Sequence, residues 1–112
     1  MFVGDIGVQI SIPAFVVNNG VTGPLTGYTV AITARDQLGN AKQWSGTIGT
    51  QPLKDAAGNT IAGAGYWCYY VTVSASDIPT SGDWRFEVVI TQASPNTNVA
   101  STIVTIPVQA RL

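Results

Sequence analysis

Trp84-Arg85-Phe86-Glu87-Val88-Val89-Ile90-Thr91 decides the fold. Trp84, Phe86, Val88 and Ile90 alternate with Arg85, Glu87, Val89 and Thr91, the period of two that marks a strand with one face in a core. The same alternation runs outward from this stretch in both directions. Tyr28, Val30, Ile32 and Ala34 share one parity, and Trp67 to Val73 repeats the pattern. Val8, Ile10 and Ile12 alternate with Gln9 and Ser11, and Pro13 predicts an edge or bulge from that residue onward. Lys42 to Ile48 reads as one strand around Trp44, and Ala100 to Val108 reads as the last. A seventh strand is expected in Ala14 to Val21 or near Ile61. Valine, isoleucine and threonine number 13, 10 and 13, against four leucines and one glutamate. Stiff β-branched side chains fit a pleated surface, and good helix formers are scarce. The expected fold is an all-β, immunoglobulin-like antiparallel sandwich of about seven strands, one domain spanning residues 1–112.

Composition narrows the function. Charged residues make up 10% of the chain, five cationic and six anionic, where about a quarter is usual for a soluble domain. A net charge of -1 provides no clustered lysine and arginine for a nucleic-acid backbone. Histidine is missing, which removes the commonest general base and the commonest metal ligand together. Cys68 is the single cysteine, so no internal disulfide forms. Met1-Phe2-Val3 leads into Gly4-Asp5 without the basic and apolar regions of a secretory leader, and no apolar run reaches the ~18 residues of a membrane helix. A soluble protein with no membrane or nucleic-acid partner is expected.

One internal echo bears on metal binding. Arg35-Asp36-Gln37-Leu38-Gly39-Asn40-Ala41 resembles Lys54-Asp55-Ala56-Ala57-Gly58-Asn59-Thr60. In each, the aspartate can accept from the backbone two residues on, while Gly and Asn supply left-handed conformations. Calcium needs several converging oxygens, and each turn offers one carboxylate, so both read as hairpin turns. Ser94-Pro95-Asn96-Thr97-Asn98 reads as a further polar turn.

Catalytic chemistry finds no footing. Cys68 lies mid-strand among aromatics and reads as a small buried hydrophobe. Asp36, Asp55, Asp77 and Asp83 lie near Gly, Pro or Ser, where acids cap turns, and Glu87 reads as a cross-strand or solvent partner on the polar face of its strand. Gly63-Ala64-Gly65 is no strand-to-helix phosphate loop. No enzyme and no cofactor are expected. Binding remains. In Tyr66-Trp67-Cys68-Tyr69-Tyr70, consecutive residues face opposite ways, so either Tyr66 and Tyr70 or Trp67 and Tyr69 stay outside. Either arrangement leaves an aromatic surface for a protein interface or a sugar ring. Ser76 to Trp84 has the form of a corner between two sheets, with Trp84 buried and its N–H satisfied on nearby backbone.

Several pieces in order carry a resemblance. Val3-Gly4-Asp5-Ile6-Gly7 is succeeded by Leu25-Thr26-Gly27-Tyr28-Thr29-Val30, the Asp36 to Asn40 turn, Gln43-Trp44, Asp77 to Val88, and Thr105-Ile106-Pro107. The set resembles the small immunoglobulin-like domains of tailed-phage virions, the amino-terminal domain of baseplate upper proteins and the short fibre–tail adaptors. The resemblance implies an immunoglobulin-like sandwich without catalytic residues. It would sit in the virion among tail, baseplate or fibre subunits, in symmetric copies of a homo- or hetero-oligomeric assembly. A capsid decoration protein and a carbohydrate-binding module are the alternatives. The insertion Gly49 to Gly65 exceeds what a simple hairpin needs and reads as a contact loop. Leu53 and Ile61 within it join Tyr66, Tyr69 and Tyr70 as the candidate interface residues.

Overall fold

Strands and turns, with no helix among the described residues, build the chain in a computed structural model that describes residues 1–91 and 96–111. The strands are β1 (Gln9–Asn18), β2 (Val21–Gly23), β3 (Val30–Arg35), β4 (Ala41–Ser45), β5 (Thr47–Ile48), β6 (Leu53–Lys54), β7 (Thr60–Ala62), β8 (Trp67–Val71), β9 (Gly82–Ile90), β10 (Thr97–Ser101) and β11 (Val104–Val108). A first sheet runs β10–β1–β8–β5, with β2 also beside β1, and a second runs β11–β9–β3–β4. β6 and β7 form a separate hairpin arm. Every strand pair is antiparallel, as the alternating pattern requires of an all-β sandwich.

The core reflects parity. Ile10, Ile12, Ala14 and Val16 of β1 are buried together with Val30, Ile32 and Ala34 of β3, Cys68 of β8, and Trp84, Phe86, Val88 and Ile90 of β9. Burying each large apolar side chain contributes about 1.5–3 kcal/mol. The ion pair of Arg111 with Asp5 leaves the arginine side chain 59% exposed, a geometry worth about 0–1 kcal/mol. Apolar burial therefore decides stability. Trp84 takes the corner position expected of it: its ring is buried, and Nε1 donates to the Thr80 carbonyl at 2.9 Å.

Three expected strands turn out differently, each because the chain changes its pairing partner within the run. Pro13 does not end β1. Gln9–Pro13 pairs with β8, and Ala14–Asn18 pairs with β10 and β2. The exchange falls at the residue with no N–H to lose; its carbonyl still accepts from Thr102, and the next N–H, of Ala14, donates to Tyr66. The run Lys42 to Ile48 divides at Gly46 into β4 of the second sheet and β5 of the first. The run Ala100 to Val108 divides after Ser101 into β10 and β11, again on different sheets. With β2 and the arm, about seven expected strands become eleven among the described residues. Of the expected polar turn at Ser94 to Asn98, Ser94 and Pro95 lie outside the described residues, and Thr97 and Asn98 belong to β10.

Both open sides of the sandwich are thus crossed by the chain itself, β4 into β5 along one and β10 into β11 along the other. At the second crossing the Val88 N–H donates to Ser101 Oγ at 2.8 Å, bonding β9 to the corner. At the first crossing Gly46 donates to the Val30 carbonyl while passing through the core. A Cβ on Gly46 would lie 3.2 Å from Val30 Cγ2 and 3.3 Å from Cys68 Sγ. Gly46→Val adds three carbons where little room exists, and forced overpacking of this kind costs about 1–3 kcal/mol. Its urea midpoint should fall accordingly, with Ser45→Val, on the exposed neighbouring residue, as the near-neutral control.

Candidate functional site

The two sheets present unlike outer faces. On the second, Arg35 lies opposite Arg85, Thr33 opposite Glu87, and Asp83 occupies the same parity of β9. Glu87 therefore stands on the polar face that its alternation indicated. On the first sheet the outward positions of β1 are Gln9, Ser11, Pro13, Phe15 and Val17, and those of β8 are Trp67, Tyr69 and Val71. β2, β5, β8 and β10 contain no charged residue, and neither does β1. An uncharged face rich in aromatic and aliphatic side chains is the candidate site.

β8 sets its composition. Cys68 is fully buried and Tyr70 packs against the core cluster, so of the two open arrangements the structure adopts the one with Trp67 and Tyr69 outward. Trp67 is nevertheless only 7% exposed, because the segment after β5 folds back over its ring. Its Nε1 donates to the Gln51 carbonyl at 2.7 Å, and the Gly49 N–H donates to the Trp67 carbonyl at 2.9 Å. A Cβ on Gly49 would lie 2.0 Å from Trp67 Cε2, inside the ring, so glycine is what lets this segment close. Tyr69 stands beside the covered indole, ring centroids 5.4 Å apart at 34°. Together with Gln9, Thr50 and Gln51 the pair lines a shallow depression of about 200 Å³.

A larger groove, about 470 Å³, opens between β1, the arm and the end of β10. Phe15, Ile61 and Tyr66 line it and remain 38%, 54% and 39% exposed. The arm aims Ile61 through a bulge. Leu53 pairs with Ala62 and Lys54 with Thr60, so Ile61 is the extra residue without a partner. Leu53, on β6, is half-buried. Of the five candidate residues, then, Tyr66 and Ile61 meet at the groove, Tyr69 lies farther along the first sheet, and Leu53 pairs with Ala62 on the arm without lining the groove. Phe15 escaped the sequence reading. Its signal was Ala14-Phe15-Val16-Val17, apolar at both parities, as a strand with two covered faces would be.

Tyr70 belongs elsewhere. Its ring stacks on Trp44 at 4.6 Å and 5°, between the sheets, and its hydroxyl donates to Asp77 Oδ2 at 2.9 Å. Asp77 also accepts from the Val73 and Ser74 N–H groups and fixes the turn after β8. Burial by itself pushes this carboxyl up, and it is the largest single influence. The Val73 N–H, the Tyr70 hydroxyl, the Ser74 N–H and the Lys42 charge together outweigh it, so the Asp77 pKa lies below the ordinary 3.8. Asp36 behaves alike: burial pushes up, and the Asn40 side chain, the Asn40 and Leu38 N–H groups and the Thr80 hydroxyl bring it below 3.8. The repeated turns match in detail, Asp36 Oδ1 accepting from Leu38 and Asn40 and Asp55 Oδ1 from Ala57 and Asn59. Left-handed backbone falls on Gly39 and Gly58, at φ 87° and 86°, rather than on Asn40 and Asn59. The Cys68 thiol, surrounded by core, is pushed up to about 12.

The covered indole and the turn carboxylates can each be tested. Gly49→Ala should expel the Trp67 ring, seen as a red-shifted tryptophan emission that is absent in the Trp67→Phe background, with about 1–3 kcal/mol lost in urea unfolding. Acid acts on the carboxylates. Both depressed carboxyls have folded values below the unfolded one. The stability they add is therefore complete above the unfolded value and lost as pH falls through the folded one. With no histidine, the unfolding midpoint should stay flat from about pH 7 to 5 and drop below pH 3.8, less steeply in Asp77→Asn.

Compared with known protein families, curated proteins and solved structures, the chain matches none.

Proposed function

We propose that this chain is a non-enzymatic structural protein that docks onto other proteins through the uncharged outer face of its first sheet. One observation carries the reading: the strands of that sheet hold no charged residue, and Phe15, Ile61, Tyr66 and Tyr69 stand on that side. Depletion of charge with enrichment of aromatics is the mark of an interface centre. Free domains draw solubility from net charge, and this chain has -1. A surface poor in charge suits burial between subunits.

The setting we propose is a tailed-phage virion, assembled in the bacterial host cytoplasm, where the protein connects tail or baseplate to a fibre or receptor-binding protein. The ordered sequence pieces from Val3 to Pro107 supply that setting. A capsid decoration role would use the same face on a different lattice. Antibody labelling of purified particles tests the setting: label at the tail supports it, label at the head replaces the connector by decoration, and absence from particles overturns both. Phe15→Glu and Tyr69→Glu test the face. Each places an unpaired carboxylate in the contact, which costs several kcal/mol when buried, so incorporation should fall at least about tenfold while the fold is kept.

The depression beside Tyr69 favours a second reading, since an outward-facing, half-buried ring in a hollow also lined by Gln9 and Gln51 is a place for a sugar. Calorimetric glycan binding that vanishes in Tyr69→Ala, with incorporation into particles intact, would select it.

A further inference from the structure

A sheet ends in strands whose outer N–H and C=O groups lack a partner, and folds generally blunt such edges. Most edges here are blunted. β11 carries Pro107, and just beyond it Gln109 exchanges hydrogen bonds with Met1 and Val3. β10 turns over into β11 and takes the Val88 N–H on Ser101 Oγ. β5 has two residues, and β2 has three, with Pro24 next in the chain.

β4 differs. Gly46 N–H donates to the Val30 carbonyl and Asp36 N–H to the Asn40 carbonyl, at 3.0 and 3.1 Å. With the β3–β4 register, these place the hydrogen-bonded pairs at Val30–Gly46, Ile32–Trp44, Ala34–Lys42 and Asp36–Asn40. The N–H and C=O groups of Ala41, Gln43 and Ser45 therefore point away from β3, and no described residue bonds them. No proline interrupts the strand, and its outward side chains are small or neutral. Lys42, the charge that would ordinarily guard an edge, has its ammonium on the Ser76 carbonyl instead.

The geometry points to antiparallel pairing of β4 with β4 of a second copy of this chain, about a two-fold axis at Gln43. Free groups on three alternate residues are self-complementary in that arrangement. Ala41 meets Ser45 of the copy, Gln43 meets Gln43, and Ser45 meets Ala41, which makes six N–H···O bonds. On the inner side Lys42 falls opposite Trp44 of the copy, so the two lysines do not face each other. The second sheet becomes a continuous eight-stranded sheet across the dimer. Docking by the first sheet's outer face is a separate matter, and this pairing does not rest on it.

Sedimentation velocity over a concentration series tests the pairing on the whole chain. The wild type should pass from monomer to dimer as concentration rises. Gln43→Pro deletes an N–H that points away from β3, a position at which an edge strand tolerates proline, and should abolish the dimer without changing the far-ultraviolet circular dichroism. Gln43→Lys sets two like charges at the axis and should weaken the dimer at least about tenfold. If the proline variant unfolds, the lysine variant decides alone. Thr22→Lys, on the first sheet, should leave the dimer unchanged. A wild type that stays monomeric throughout, or a dimer indifferent to Gln43→Lys, overturns the pairing.

Discussion

The passage of the chain between layers at Gly46 is the constraint on which the site depends. Val30, Ile32 and Cys68 close around that residue, and a Cβ there would press on Val30 and Cys68 at 3.2 and 3.3 Å. From there β5 reaches the edge of β8, with Thr47 opposite Tyr69 and Ile48 opposite Cys68. That pairing delivers Gly49 and Gln51 to Trp67. The indole is covered, its N–H is satisfied, and Tyr69 is left standing beside a flattened surface rather than among loose rings. Each step is positioned by the one before it, and the first is steric.

Charge partition is the second organising fact. Eleven charged residues are too few to surround a 112-residue sandwich evenly, and they concentrate in turns, at the chain ends, on the arm and on the second sheet. Asp36, Asp55 and Asp77 are consumed by turns, each accepting several hydrogen bonds. What remains for the first sheet is amide, hydroxyl, aromatic and aliphatic surface. Such a face gains little from water and offers nothing to repel an incoming protein of either sign.

Much of this could be read directly from the residues. Strands with one buried face announce themselves by parity, which is why Trp84 to Ile90 and the Trp84 corner are as expected, and aspartates with a glycine three residues on encode their turns locally. Partner exchange is another matter. Pro13 and Gly46 each sit within a run whose period-two alternation continues past them, and at Thr102 and Ile103 two successive exposed residues separate β10 from β11. The site was legible only in part for the same reason. Tyr66, Tyr69 and Tyr70 are indistinguishable as a cluster until the parity of Cys68 is known, and the inward turn of Tyr70 depends on Trp44 and Asp77, which are remote or across a turn in the chain. Ile61 stands out in the sequence, yet its aim depends on a bulge in a two-stranded arm.

The register of β1 has a kinetic consequence. Apart from the adjacent three-residue β2, its neighbours are residues 67–71 on one side and 97–101 on the other. Beyond the short ladder with β2, β1 therefore waits for β8 and then for β10 to be made before its sheet is complete. Local hairpins such as β3–β4 can form meanwhile, but the first sheet cannot close until β10 has left the ribosome. Long-range pairings of this kind place folding in the slow range for small domains, milliseconds to seconds. During that interval Ile10, Ile12 and Val16 stay without the layers that cover them, an interval in which a chain with so little charge depends on chaperones or on speed.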